Sequence, residues 1–151
     1  MATNIEKFDN LTGKIFADLY QSFPVVRQMA PVDYFQTFSE LSGDDLKPNR
    51  AYKEALEFFV HTVDWLKGAG YLDVKMTLVD GTVRAVLTAK GLETLKQVPN
   101  SLGGETIGDQ LAQAAKNGLL DKVRELVGTA LGKGIKLGGE AMPDNWQGIG
   151  E

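Results

Sequence analysis

The chain has no cysteine and a single histidine, His61. Without cysteine there is no disulfide framework, no thiolate metal site and no cysteine nucleophile. One histidine excludes a multi-histidine metal site within one chain. No stretch of about 18 uncharged apolar residues occurs, so no transmembrane segment is expected. The opening residues Met1–Asn10 carry early acids and no apolar run, unlike a signal peptide. The expectation is therefore a cytoplasmic protein, with the Asn10-Leu11-Thr12 sequon a chance match. A basic excess is also missing: the net charge is −4, which weakens a nucleic-acid function unless a local patch supplies it. What is present, 151 residues of which 43% are hydrophobic, suits one ordinary core with an appendage.

Local patterns predict a mainly helical α+β fold. Thr3 and Glu6 have capping-box spacing, and Ile5, Phe8, Leu11, Ile15, Leu19 and Phe23 form one stripe, predicting a helix over 4–22 that Pro24 ends. Val25 and Val26 suit a brief strand. Pro31 with Val32, Phe35, Phe38 and Leu41 predicts a short helix over 31–41, stopped by Gly43 and followed by a polar loop at 44–48. A central helix is expected at 49–68. One broad face holds Ala51, Tyr52, Ala55, Leu56, Phe59, Thr62, Val63 and Leu66, with Phe58 and Trp65 overhanging an edge. Arg50, Lys53, Glu54, Glu57, His61 and Asp64 share the polar side.

Asp80-Gly81 is a favoured two-residue hairpin turn. The register it sets pairs Leu78 with Val83, Met76 with Ala85 and Val74 with Leu87 on an apolar face. Thr77–Arg84, Lys75–Val86 and Asp73–Thr88 fall on the polar one. Thr88 then caps a helix at 89–97, with Leu87 and Leu92 spaced as a hydrophobic staple. Asn100–Gly104 is linker-like. Beyond it come amphipathic helices at about 105–117 and 119–137, or one helix through Gly118, since glycine costs only about 1 kcal/mol there. The glycine-rich tail 138–151 is expected to be poorly ordered.

Residues 4–98 resemble the winged-helix superfamily. The likeness is carried by Val63-Asp64-Trp65-Leu66-Lys67-Gly68-Ala69-Gly70-Tyr71-Leu72, similar to a third helix entering the wing. Leu87-Thr88-Ala89-Lys90-Gly91, with Leu95, is similar to the exit from the second wing strand. The resemblance implies a winged-helix-like domain at 1–99, with one β-hairpin, followed by a C-terminal helical extension at 100–137 and a tail. It also implies a DNA-facing surface on the central helix and hairpin, with Arg50, Lys53, Lys75 and Arg84 as candidate nucleic-acid contacts. Charge opposes that role. Residues 1–100 have 11 Lys+Arg against 13 Asp+Glu, and Glu54, Glu57 and Asp64 lie on the would-be recognition face.

Other patterns point away from chemistry. His61 is read as an exposed helical histidine, and Glu54, Glu57 and Asp64 as a solvated face, because no nucleophile or metal constellation surrounds them in sequence. Gly132-Lys133-Gly134 lacks the rest of a phosphate-loop pattern. No cofactor and no enzymatic activity are expected. Lys122, Arg124, Lys133 and Lys136 outnumber Asp121 and Glu125 on the last helix. That helix lacks large interfacial aromatics, so a core-covering or dimerising role is preferred to peripheral membrane contact. The expected function is a non-catalytic protein that acts through protein–protein contacts and self-associates. Candidate interface residues are Phe58, Trp65, Leu120, Val123, Val127 and Leu131. The alternative is a DNA-binding transcriptional regulator.

Overall fold

A computed structural model describes residues 3–39, 41, 49–99 and 104–141, with side chains described as far as Lys133. The elements are α1 (Asn4–Ser22), β1 (Arg27–Met29), a 3-10 turn (Pro31–Tyr34) leading into α2 (Phe35–Phe38), α3 (Arg50–Gly68), β2 (Leu72–Thr77), β3 (Val83–Leu87), α4 (Ala89–Lys96), α5 (Ile107–Lys116) and α6 (Leu120–Ala141). The fold is mostly helical with one three-stranded antiparallel sheet, ordered β1-β3-β2. Among the described residues no helix is long and apolar enough to cross a membrane. The helix stop expected at Gly43, the loop at 44–48, most of the linker after Asn100 and the tail beyond Ala141 lie outside the described residues.

Local chemistry starts the helices where the pattern indicated. The Thr3 hydroxyl accepts from the Glu6 amide at 3.1 Å and the Glu6 carboxylate accepts from the Thr3 amide at 3.0 Å. Asn49, Thr88 and Thr106 each accept from an amide in the first turn of α3, α4 and α5. Such caps satisfy donors that the helix itself leaves unpaired. The first strand falls at Arg27–Met29 rather than at Val25 and Val26, because pairing with β3 puts Met29 opposite Val83 and seats it in the core. The helix expected over 31–41 is a tight 3-10 turn plus one α turn ending at Phe38.

α1 is the centre of the molecule. Leu11, Ile15, Phe16 and Leu19 are fully enclosed. One buried cluster joins them to Met29, Tyr34, Phe59, Leu66 and Leu87, and equally to Ile107, Leu111, Val127 and Ala130 of the C-terminal helices. The boundary expected at residue 99 therefore does not divide the core. Two glycines allow this packing. A Cβ on Gly13 would lie 2.3 Å from Val123 Cγ1, and one on Gly108 would lie 2.5 Å from the Tyr20 ring. α5 and α6 are separate helices, since Gly118 between them has φ +69° and breaks the helical path.

The hairpin register differs from the two-residue-turn expectation. The loop has three residues: Val79, Asp80 and Gly81, with the Gly81 amide donating to Leu78 carbonyl at 3.0 Å and Gly81 at φ +92°. This is a type I turn closed by a left-handed glycine. Thr77 therefore opposes Val83 and Met76 opposes Arg84. A bulge at Lys75 then restores inward pairing, with Val74 opposite Ala85 and Leu72 opposite Leu87. Leu78 and Met76, expected on the inner face, are exposed. Gly81 is held in place by crowding, since a Cβ there would meet Leu56 Cδ1 at 2.9 Å and Pro31 Cγ at 3.2 Å.

Two polar junctions fix the sheet to the helices. Asp18 is buried on α1 and takes the Tyr34 hydroxyl at 2.6 Å and Lys14 Nζ at 3.1 Å, with Arg27 Nη2 at 3.8 Å. Thr88 Oγ1 donates to Gly70 carbonyl, and Lys90 Nζ donates to Ala69 carbonyl at 2.8 Å while lying 4.6 Å from the Tyr71 ring centre. Gly91 is required there, because a Cβ would meet Tyr71 carbonyl oxygen at 2.4 Å.

Replacing Gly13 by alanine should destabilise the protein by about 1–3 kcal/mol in urea unfolding, despite the gain of about 1 kcal/mol in helix propensity. Adding Val123→Ala should recover part of the loss; a stabilised single variant would show that α6 does not cross α1 this closely. Burial first, then the hydrogen bond to Asp18, pushes the Tyr34 hydroxyl well above its usual value near 10. The sign follows: stability is full below pH 10 and falls above it, where only the unfolded chain ionises this tyrosine. Urea midpoints should decline from about pH 9 to 11, and Tyr34→Phe should flatten that decline while lowering stability at neutral pH.

Candidate interaction surface

The polar side of α3 forms a charged ridge. Asn49 starts the helix, and its 3.6-residue period brings Arg50, Lys53, Glu54, Glu57, His61 and Asp64 to one exposed face. Arg50 Nε is bound to Glu54 Oε2 at 3.2 Å, one turn along the same helix. His61 is exposed. Among the described residues no group of three or more His, Asp or Glu side chains is placed to hold a metal ion.

Of the four candidate nucleic-acid contacts, two are engaged by carboxylates. Arg50 is tied to Glu54, and Lys75 Nζ lies 2.7 Å from Asp73 Oδ2. Lys53 and Arg84 are exposed and make no ion pair among the described residues. Arg84 sits opposite Gln28 and Met76, on the sheet face turned away from the core. These four cations do not form a basic patch, because carboxylates alternate with them along α3 and β2.

The six candidate interface residues separate into two sets. Val123 is 2% exposed and Val127 is fully enclosed, so both are core residues and closed to a partner. An amphipathic pattern does not reveal what covers its apolar face, so the sequence alone does not separate a core-covering from a dimerising role here. Leu131 is half-buried, and its carbonyl accepts from the Tyr71 hydroxyl at 3.5 Å. Phe58 is half-buried and stacks on Phe38 at 5.1 Å. Trp65 is 51% exposed, with Phe8 edge-on at 5.4 Å, and Leu120 is also exposed. Of the basic residues expected to line α6, Lys122 pairs with Glu125 and Arg124 with Asp121, while Lys136 lies outside the described side chains.

A further apolar feature comes from the hairpin. Met76, Leu78 and Val79 are all exposed, Val79 completely. The turn packs beside Leu56, on one flank of α3. Trp65 lies on the other flank of the charged ridge by its helical position. The surface is therefore a charged strip bordered by apolar side chains, Val79 and its neighbours on one side and Trp65 on the other. In this set Leu78 and Met76 are the residues that the two-residue register turns inward, whereas Val79 falls on the opposite face in that register.

Asp80 stabilises this tip: its carboxylate accepts from the Thr82 amide at 2.9 Å, which holds its pKa below the usual carboxylate range. No family model, curated protein or solved structure matches the chain.

Gly81→Ala should destabilise the protein by about 1–3 kcal/mol, because it combines a left-handed backbone with contact on Leu56. Leu78→Thr and Val79→Thr should each change the urea midpoint little, because neither side chain contributes to the buried core. A loss of several kcal/mol at Leu78 would mean that the inward register is the correct one.

Proposed function

We propose that the chain is a non-catalytic, winged-helix-like protein that works through protein contacts, with a second copy of itself as the first partner to test. The order helix, strand, helix, helix, hairpin over residues 4–87, with the first strand paired to the last, supports the winged-helix reading. In that reading α3 is the third helix and β2–β3 the wing. The observation that carries the functional choice is the wing itself: its tip presents Met76, Leu78 and Val79 where a phosphate-binding wing presents cations. Exposed large apolar side chains grouped on one feature mark protein contact surfaces. Self-association through residues 105–137 loses its main support, because Val123 and Val127 are enclosed. The wing tip and Trp65 replace them.

The DNA-binding reading retains one specific support: Lys53 and Arg84 are exposed without an ion pair among the described residues. Against it, a duplex approaching α3 meets Glu54, Glu57 and Asp64.

Sedimentation over a wide concentration range should show a reversible dimer, and Val79→Asp should return it to a monomer with its urea stability intact. A monomer at every concentration would remove self-association. Fluorescence anisotropy on mixed duplexes should show no binding even at low salt, where phosphate contacts are strongest. Saturable binding abolished by Arg84→Glu would establish the DNA reading instead.

A further inference from the structure

The apolar set on the hairpin holds one chemically reactive side chain. Of the four methionines in the sequence, Met1 and Met142 lie outside the described residues. Met29 is sealed in the core at 1% exposure, opposite Val83. Met76 is 49% exposed. The hairpin geometry makes the difference. The three-residue loop sets Met76 opposite Arg84 on the outer face of the sheet, before the bulge at Lys75 restores inward pairing. The Met76 thioether is therefore open to a dissolved oxidant, while that of Met29 is shielded.

The neighbours of Met76 matter as much as its exposure. Arg84 stands directly across the strand pair, with Gln28 beyond it on β1. Opposed side chains on one face have Cβ atoms about 4.5–5.5 Å apart, within reach of a long guanidinium. Arg84 is exposed and makes no ion pair among the described residues. A thioether gives it little to bind, since that sulfur is a weak acceptor. A sulfoxide oxygen is a far better acceptor, so oxidation would hand Arg84 a charge-assisted hydrogen bond. Leu78 and Val79, just along the chain, complete the exposed apolar set.

We propose that Met76 is an oxidative modification site that controls contact through the hairpin tip, with hydrogen peroxide as the oxidant. The sulfur lone pair attacks one peroxide oxygen, an S–O bond forms and the O–O bond breaks. The departing hydroxide takes the proton of the transferred hydroxyl and leaves as water. Sulfur loses two electrons and the peroxide gains them. The sulfoxide oxygen accepts from Arg84, and a flexible apolar side chain becomes a polar one. The tip thereby loses apolar surface that a second copy covers. Met76 is not part of the buried core, so the fold is left intact. Enzymatic reduction of the sulfoxide restores the thioether and makes the site reversible. The effect on contact rests on the self-association reading; the chemistry at Met76 does not.

The test treats the full chain with hydrogen peroxide and follows it by peptide mass mapping, sedimentation and urea unfolding. Met76 should gain one oxygen about tenfold faster than Met29 or more. The dimer dissociation constant should rise by about tenfold, with an unchanged urea midpoint. The Arg84 Nε–H resonance should shift on oxidation. Met76→Leu keeps the apolar volume, so it should dimerise like the natural chain and ignore peroxide. Equal oxidation of Met29 and Met76 in the folded chain overturns the proposal, and so does an unmoved Arg84 resonance. Loss of the dimer in peroxide-treated Met76→Leu would assign the effect to another residue and overturn it as well. A chain that is monomeric before treatment removes the self-association reading, and control of contact with it. A dimer that tolerates the Met76 sulfoxide removes the control alone.

Discussion

Gly13 has only a hydrogen where α6 crosses α1, and a single added carbon would press into Val123. The rest of the molecule depends on that approach. α1 is packed by α5 and α6 on one side and by α2, α3 and β3 on the other. A close-packed interior transmits a local misfit, since side chains cannot simply give way. Gly108 against the Tyr20 ring repeats the device at the α1–α5 contact. Through these two positions the C-terminal helices complete the core of α1.

The sheet is attached by different means. Asp18 gathers Tyr34, Lys14 and Arg27 at the base of β1, and Thr88 with Lys90 satisfies the carbonyls at the end of α3. These contacts hold the hairpin beside α3 at both ends of the sheet. The consequence is a surface of mixed character. Charges run along α3, while apolar side chains stand on the hairpin tip and at Trp65. The bulge at Lys75 also twists the outer edge of β2 and places charge on it, a protection against indiscriminate strand pairing.

Helix starts and most helix bodies were legible in the residues, because caps such as Thr3, Thr88 and Asn49 act over three or four positions. The hairpin's existence was legible for the same reason. Its register was not. Asp80-Gly81 is compatible with a two-residue or a three-residue loop, and the choice is settled by how Gly81 seats against Leu56 and Pro31, far away in sequence. The candidate surface was legible only in part. Trp65 is legible as an aromatic overhanging the helix edge, whereas the exposure of Leu78 and Met76 depends on the hairpin register and the burial of Val123 and Val127 on what covers them. Asp18 left a trace, an acid at the spacing of Leu11 and Ile15 on an apolar stripe, but its partner Tyr34 comes from another element.

Composition and short-range pattern thus determined the mainly helical class, most helix starts, the presence of one hairpin and the lack of cysteine-based and multi-histidine chemistry. These depend on interactions spanning a few residues, and the residue order records them directly. Tertiary structure decided the crossing of α6 over α1, the hairpin register, and which apolar side chains remain at the surface. Each depends on contacts between segments tens of residues apart, where burial is settled by what packs opposite and not by the pattern of the segment itself.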